Sequence, residues 1–177
     1  QIVIGFSPYE VKKGFLNYVI RYETLHSAIQ YLSFALAGKP YMGVGRNLSY
    51  KKSLFFSVKG FASHNHILSG DDDLFVNEVA NSKNTAVCLS KESFIRSIPK
   101  TTWKDWFKQK SRHLSTGKYY KSSDKFRLGL FSFSSFAFWL IFTLAIILNS
   151  QYWMVFVSIF GFKLLIQYKY FHLHFSF

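Results

Sequence analysis

Hydrophobic and polar positions divide the chain into two unlike parts. From Leu128 to Phe162 no residue is charged, a run bounded by Arg127 and Lys163. Leu128 to Leu148 alone is 21 residues, which at about 1.5 Å per residue spans the ~30 Å hydrocarbon core of a bilayer. Asn149-Ser150-Gln151 then supplies a polar break. A second apolar stretch follows, carrying Lys163, whose long stem can snorkel to an interface. The pattern predicts transmembrane helices over 128–148 and 152–170.

Upstream the periodicity is that of a mixed domain. Ile2-Val3-Ile4-Gly5-Phe6 reads as a buried strand. Gly14 to Ala37 reads as a long helix, with Leu16, Val19, Ile20, Ala28, Ile29, Leu32, Ala35 and Leu36 at helical spacing, closed by Gly38 and Pro40. Tyr41 to Tyr50 is a glycine-punctuated loop in which Gly43 and Gly45 mark a close approach. It lacks the third glycine and the preceding strand of a dinucleotide fingerprint. Asp71 opens a short helix running to about Asn81, and Thr85–Leu89 and Ser93–Ser97 read as strands. A further helix starts at Thr101 or Thr102, where Thr102 and Asp105 have capping-box spacing, and continues past Arg112. The fold class is therefore α/β up to this point and all-helical afterwards.

Charge changes this picture in one respect. Lys+Arg total 22 against 9 Asp+Glu, a formal +13. Eleven of the basic residues lie between Lys91 and Arg127, against three acids, a local +8 just before the first apolar span. By the positive-inside rule that region faces the cytoplasm and the Asn149 loop faces out. Anionic headgroups account for much of the charge, and no nucleic-acid module pattern is present. Hydrophobic content of 49% excludes a disordered tail, and a lone Cys88 excludes an intramolecular disulfide or a cysteine-cluster zinc site.

Two constellations carry candidate chemistry. Three of the nine acids stand together at Asp71, Asp72 and Asp73. A helix start accounts for one carboxylate as a cap, but adjacent like charges raise each other's pKa. One of them could act as a general base on a hydroxyl, or the triplet could ligate Mg²⁺ or Mn²⁺. A solvated acidic helix start explains the run equally. In the second constellation, Gln109, Arg112 and His113 share a helical face, with Trp103, Trp106, Phe107 and Leu114 on another side. Such a helix suits a membrane surface, and an amide with a guanidinium can grip a diphosphate. A solvated basic face is the plainer alternative. Three function classes remain open on these residues alone: a transferase, a non-enzymatic basic membrane anchor or scaffold, and a metal-dependent lipid phosphotransferase.

Taken in order, the pieces resemble the second half of a membrane-integrated family 2 glycosyltransferase, the group containing cellulose and hyaluronan synthases. Ser69-Gly70-Asp71-Asp72-Asp73 is similar to the Thr-Glu-Asp or Gly-Asp-Asp motif of that group. Gln109-Lys110-Ser111-Arg112-His113 is similar to its Gln-x-x-Arg-Trp motif, with His113 where the group has Trp. Tyr41-Met42-Gly43-Val44-Gly45-Arg46-Asn47, followed by Lys51-Lys52, resembles its glycine-rich acceptor-side segment.

The resemblance implies a GT-A, Rossmann-like acceptor-side half over 1–118, with an interface helix at about 102–116. A basic juxtamembrane segment over 119–127 and the transmembrane hairpin follow. It implies that Asp72 deprotonates the acceptor hydroxyl, with Asp71 as its acidic neighbour, and that Gln109 and Arg112 hold the nucleotide diphosphate. Gly45, Arg46, Asn47 and His113 fall on the substrate side. The implied partners are a nucleotide-sugar donor, a carbohydrate or lipid-linked acceptor and the membrane, without nucleic acid. The implied location is the bacterial plasma (inner) membrane, with the catalytic part cytoplasmic. No Asp-x-Asp precedes Asp71, where the only acids are Glu10 and Glu23. The expectation is therefore that Mg²⁺ or Mn²⁺ is bound mainly by a donor half lying before Gln1, and that this chain alone is an inactive fragment.

Overall fold

The computed structural model of the protein describes residues 1–67 and 69–175, and the side chains of all these but 167 and 170–175. It divides into two units, 1–125 and 126–177.

In the first unit a three-stranded sheet has the order β2-β1-β3, with β1 at Ile2–Gly5, β2 at Leu48–Tyr50 and β3 at Thr85–Cys88. β1 pairs antiparallel with β2 (Ile4 opposite Leu48) and parallel with β3 (Ile4 opposite Val87). A parallel pair needs a long crossover, and the intervening chain supplies it as helices α1 (Phe15–Leu36), α2 (Lys52–Ser57) and α3 (Asp71–Val79). Ile2 and Ile4 are fully buried, and the buried core also holds Phe6, then Ile20, Ala28, Tyr31 and Leu32 of α1 and Leu74, Phe75 and Val76 of α3. The Tyr31 hydroxyl donates to the Gly5 carbonyl at 3.0 Å, pinning α1 to the end of β1.

Helix α4 (Trp103–Leu114) begins where the capping box places it. The Thr102 Oγ1 accepts from the Asp105 N–H at 3.1 Å and donates to its Oδ2 at 2.7 Å. Trp106 is the buried member of its apolar face, whereas Trp103, Phe107 and Leu114 are exposed. The ion pair of Lys110 with Glu23 ties α4 to α1.

Four elements differ from the sequence expectation. Ser93–Ser97 is not a strand: a 3₁₀ turn occupies Lys91–Ser93, and Ser97 makes only an isolated bridge with Tyr9. Pro8 and Pro99 flank the two sides of that bridge, and proline has no N–H to extend a ladder. β2, of three residues, lies in what reads as loop, and α2, of six, falls between that loop and the expected Asp71 helix. The cap of α3 is not an aspartate but Gly70, in the left-handed region at φ 87°.

Helix α5 (Ser122–Leu148) starts six positions before the expected span and runs on into the second unit. Among the described residues it is the one helix long and apolar enough to cross a membrane, and none of its apolar window is buried within the chain. The apolar helical stretch Ser150–Ile166 is shorter. It belongs to α6 (Trp153–Phe175) and the turn before it, and side chains 167 and 170 of the expected second span lie outside the described residues. Within this unit the Lys163 ammonium sits over the rings of Phe138 and Trp139, at 3.8 and 4.1 Å from their centroids.

Candidate active site

The three neighbouring aspartates enter three different environments. Gly70 turns the chain into α3 with a positive φ, and a Cβ there would come within 2.6 Å of Thr116 Cγ2, so both backbone and space demand glycine. Asp71, first in the helix, is exposed and lines a cleft with Phe61, His64, Asn65, Ile67 and Ser69. Asp72 is half-buried. Its Oδ2 accepts the Gly45 N–H at 2.6 Å, and its Oδ1 accepts the Asp73 N–H at 2.9 Å. Asp73 is buried, and its Oδ2 lies 3.3 Å from the Thr116 hydroxyl oxygen. Burial, reinforced by the adjacent Asp72 charge, pushes the Asp73 carboxyl up to about 7, against the opposing hydrogen bonds of Tyr120 and Thr116.

Thr116 also joins two elements. Its hydroxyl donates to the His113 carbonyl at 2.7 Å, so the end of α4 is fastened to the first turn of α3. His113 reaches the surface at this junction. Desolvation, then Lys110 and Arg112, push its imidazole below the usual range; the Asp72 carboxylate opposes them.

The glycine-rich loop closes the other side. Beyond Gly45, the Arg46 guanidinium lies over the Tyr9 ring at 4.3 Å, and its buried Nη1 has no hydrogen-bond partner. The Gln109 amide donates to the Tyr9 hydroxyl at 3.4 Å. Asn47 turns the other way: its Nδ2 donates to the carbonyls of Phe6 at 2.7 Å and Ser93 at 2.9 Å, fixing the loop on the sheet. Asp72, Gly45, Arg46, Tyr9 and Gln109 thus form a continuous chain of contacts. Arg112 stays exposed one position from His113.

Residues that sequence reasoning passed over hold this arrangement. Tyr9 follows the end of β1, where loops carry ligand contacts in open α/β sheets, and that position is the signal that could have found it. Asn77, on α3, donates to the Tyr41 carbonyl and to Asp124 Oδ2, both at 3.0 Å, and accepts the Lys121 N–H at 2.8 Å. No local pattern marks it.

The residues do not fit a metal centre of their own. The carboxylates of Asp71, Asp72 and Asp73 diverge, and among the described residues no three His, Cys, Asp or Glu side chains group to hold an ion. The arrangement is against a phosphotransferase metal site at the triplet.

The family described as "Glycosyl transferase family group 2" matches residues 1–171. No curated protein matches, and no solved structure matches. A match over nearly the whole length shows that the chain belongs to this family.

Proposed function

We propose that this glycosyl transferase family group 2 chain forms the acceptor side of a membrane-integrated, inverting glycosyltransferase of the cellulose and hyaluronan synthase kind, built on a partial GT-A domain. Family membership implies a nucleotide-sugar donor and an acceptor. In the reaction, an aspartate at the start of α3 takes the proton of the acceptor hydroxyl. The oxygen then bonds to the anomeric carbon as the bond from that carbon to the diphosphate breaks, inverting its configuration. Asp72 is the expected base, held by the Gly45 N–H. Gln109, Arg112 and Arg46 would stabilise the departing diphosphate by charge-assisted hydrogen bonds, with His113 uncharged beside them at neutral pH. Asn47 serves by anchoring the loop. Any Mg²⁺ or Mn²⁺ would need ligands beyond Asp71, Asp72 and Asp73. The apolar, unburied α5 supports insertion in a membrane, with the basic segment before it on the cytoplasmic side.

The observation that carries this reading is the run of contacts from Asp72 through Gly45, Arg46 and Tyr9 to Gln109. One further observation favours a second assignment of the base. Both oxygens of Asp72 already accept main-chain N–H groups, whereas Asp71 opens on the cleft. In that case Asp71 takes the proton and Asp72 holds the loop. The test is sugar transfer by the full-length protein in membranes, with donor binding measured separately. Asp72→Asn is expected to lose at least ~10³-fold in turnover while binding donor. Full turnover in Asp72→Asn with loss in Asp71→Asn passes the role to Asp71, and turnover in both variants overturns the carboxylate-base mechanism.

A further inference from the structure

Within the second unit, α5 and α6 meet through Trp139 with Phe160, and through Phe142 with Phe156 and Phe160, at ring-centroid distances of 6.0, 5.9 and 6.3 Å. That antiparallel register sets Lys163 opposite Phe138. Phe138 stands ten residues before Leu148 and Lys163 ten after Trp153. At about 1.5 Å per residue each is ~15 Å from the turn, the middle of a ~30 Å hydrocarbon core. A lysine near a helix end escapes to the interface by snorkelling. The Lys163 ammonium instead lies over the rings of Phe138 and Trp139, 3.8 and 4.1 Å from their centroids.

Those rings offer a quadrupole and no net charge. Nor does this unit hold a counter-charge, since no Asp or Glu occurs from 126 to 177. Charged side chains at such depth are costly and pair with an opposite charge or line a polar path. Anionic headgroups lie at the membrane surface, half the core away. On α6, Ile159 and Ile166 stand four positions before Lys163 and three after it, on one helical face, and both are exposed, as is Trp139 on α5. The result is an apolar flank with a single cation at its centre.

We propose that this flank docks a transmembrane helix of a partner protein that carries an Asp or Glu near its middle, whose carboxylate pairs with Nζ of Lys163. Ile159, Ile166 and Trp139 pack against the apolar turns on either side of that carboxylate. A second copy of the hairpin brings no acid and does not fit. The inference rests on the membrane reading above and is independent of the sugar chemistry.

The experiment places the full chain in phosphatidylcholine nanodiscs and measures energy transfer to leucine-alanine helices of about 20 residues. One helix carries Glu at its centre, one carries Glu near an end, and one carries none. The central-Glu helix is expected to associate at least tenfold more tightly than the other two. Lys163→Leu should erase that preference, and Lys163→Arg should keep it. Equal association of the three helices, or an undiminished preference in Lys163→Leu, would overturn the proposal. So would pairing between two copies of the full chain that the central-Glu helix competes away. Asn149→Cys in a Cys88→Ser background separates the two readings. Its reaction with a membrane-impermeant maleimide on intact cells is expected, because the turn faces out. Absence of labelling would remove the membrane reading and this docking site with it. Labelling together with equal association of the three helices would sink this inference alone.

Discussion

Gly45 donates its main-chain N–H to Oδ2 of Asp72 at 2.6 Å, joining positions 27 apart in sequence. A loop amide thereby sets the direction of a carboxylate whose other oxygen is held by its own helix. The contact is close because position 45 has no side chain.

Gly45→Ala tests how finely that direction matters. An added Cβ would lie 3.0 Å from Asp72 Oδ2 and 3.2 Å from its Cβ, so the aspartate must retreat by a few tenths of an ångström. Turnover is expected to fall about tenfold, since small displacements of a reacting group are costly, while the thermal midpoint changes little. Equal turnover in the variant and the parent would show that the carboxylate need not be held there.

Asp73→Asn tests the buried carboxyl. Its pKa stands at about 7 in the fold against an ordinary 3.8, so folding favours the protonated form. Its contribution to stability is whole below about pH 4 and is lost as pH rises through about 7. At about 1.4 kcal/mol per unit this amounts to roughly 4 kcal/mol. Asparagine keeps a polar group beside Thr116 but cannot ionise. Denaturation of the full chain between pH 4.5 and 8 should show the variant gaining on the parent as pH rises, and parallel curves would refute the assignment.

Tyr9 offers a paired test. Tyr9→Phe removes the hydroxyl that accepts from Gln109 and keeps the ring beneath Arg46, so the KM for the nucleotide-sugar should rise less than threefold. Tyr9→Ala removes the ring face, worth ~0.5–2 kcal/mol to a guanidinium, and should raise that KM about tenfold with a smaller change in kcat. Steady-state kinetics on the donor decide it; equal effects of the two substitutions would discard the stacking contact.

Much of the scaffold was legible because strong local signals coincide with it. Gly14 and Ala37 bracket α1, the Thr102–Asp105 box starts α4, and the uncharged run marks α5. Short elements escaped, because three residues of β2 are held by register with β1 rather than by any period of their own. Ser93–Ser97 misled, since a short local pattern says nothing about whether a partner strand is within reach. The aspartate run was visible, but its division among solvent, loop amide and core was not. That division depends on Gly45, Thr116 and Tyr120, which reach the helix from distant parts of the chain. Tyr9 carries no motif at all.

One phenol ring therefore serves as a meeting point for the loop after β1, the turn at 45–47 and helix α4. Such a keystone limits how the surrounding loops can drift over generations. A change that shifts Arg46 disturbs Gln109 as well, so the two motifs are expected to vary in step rather than independently.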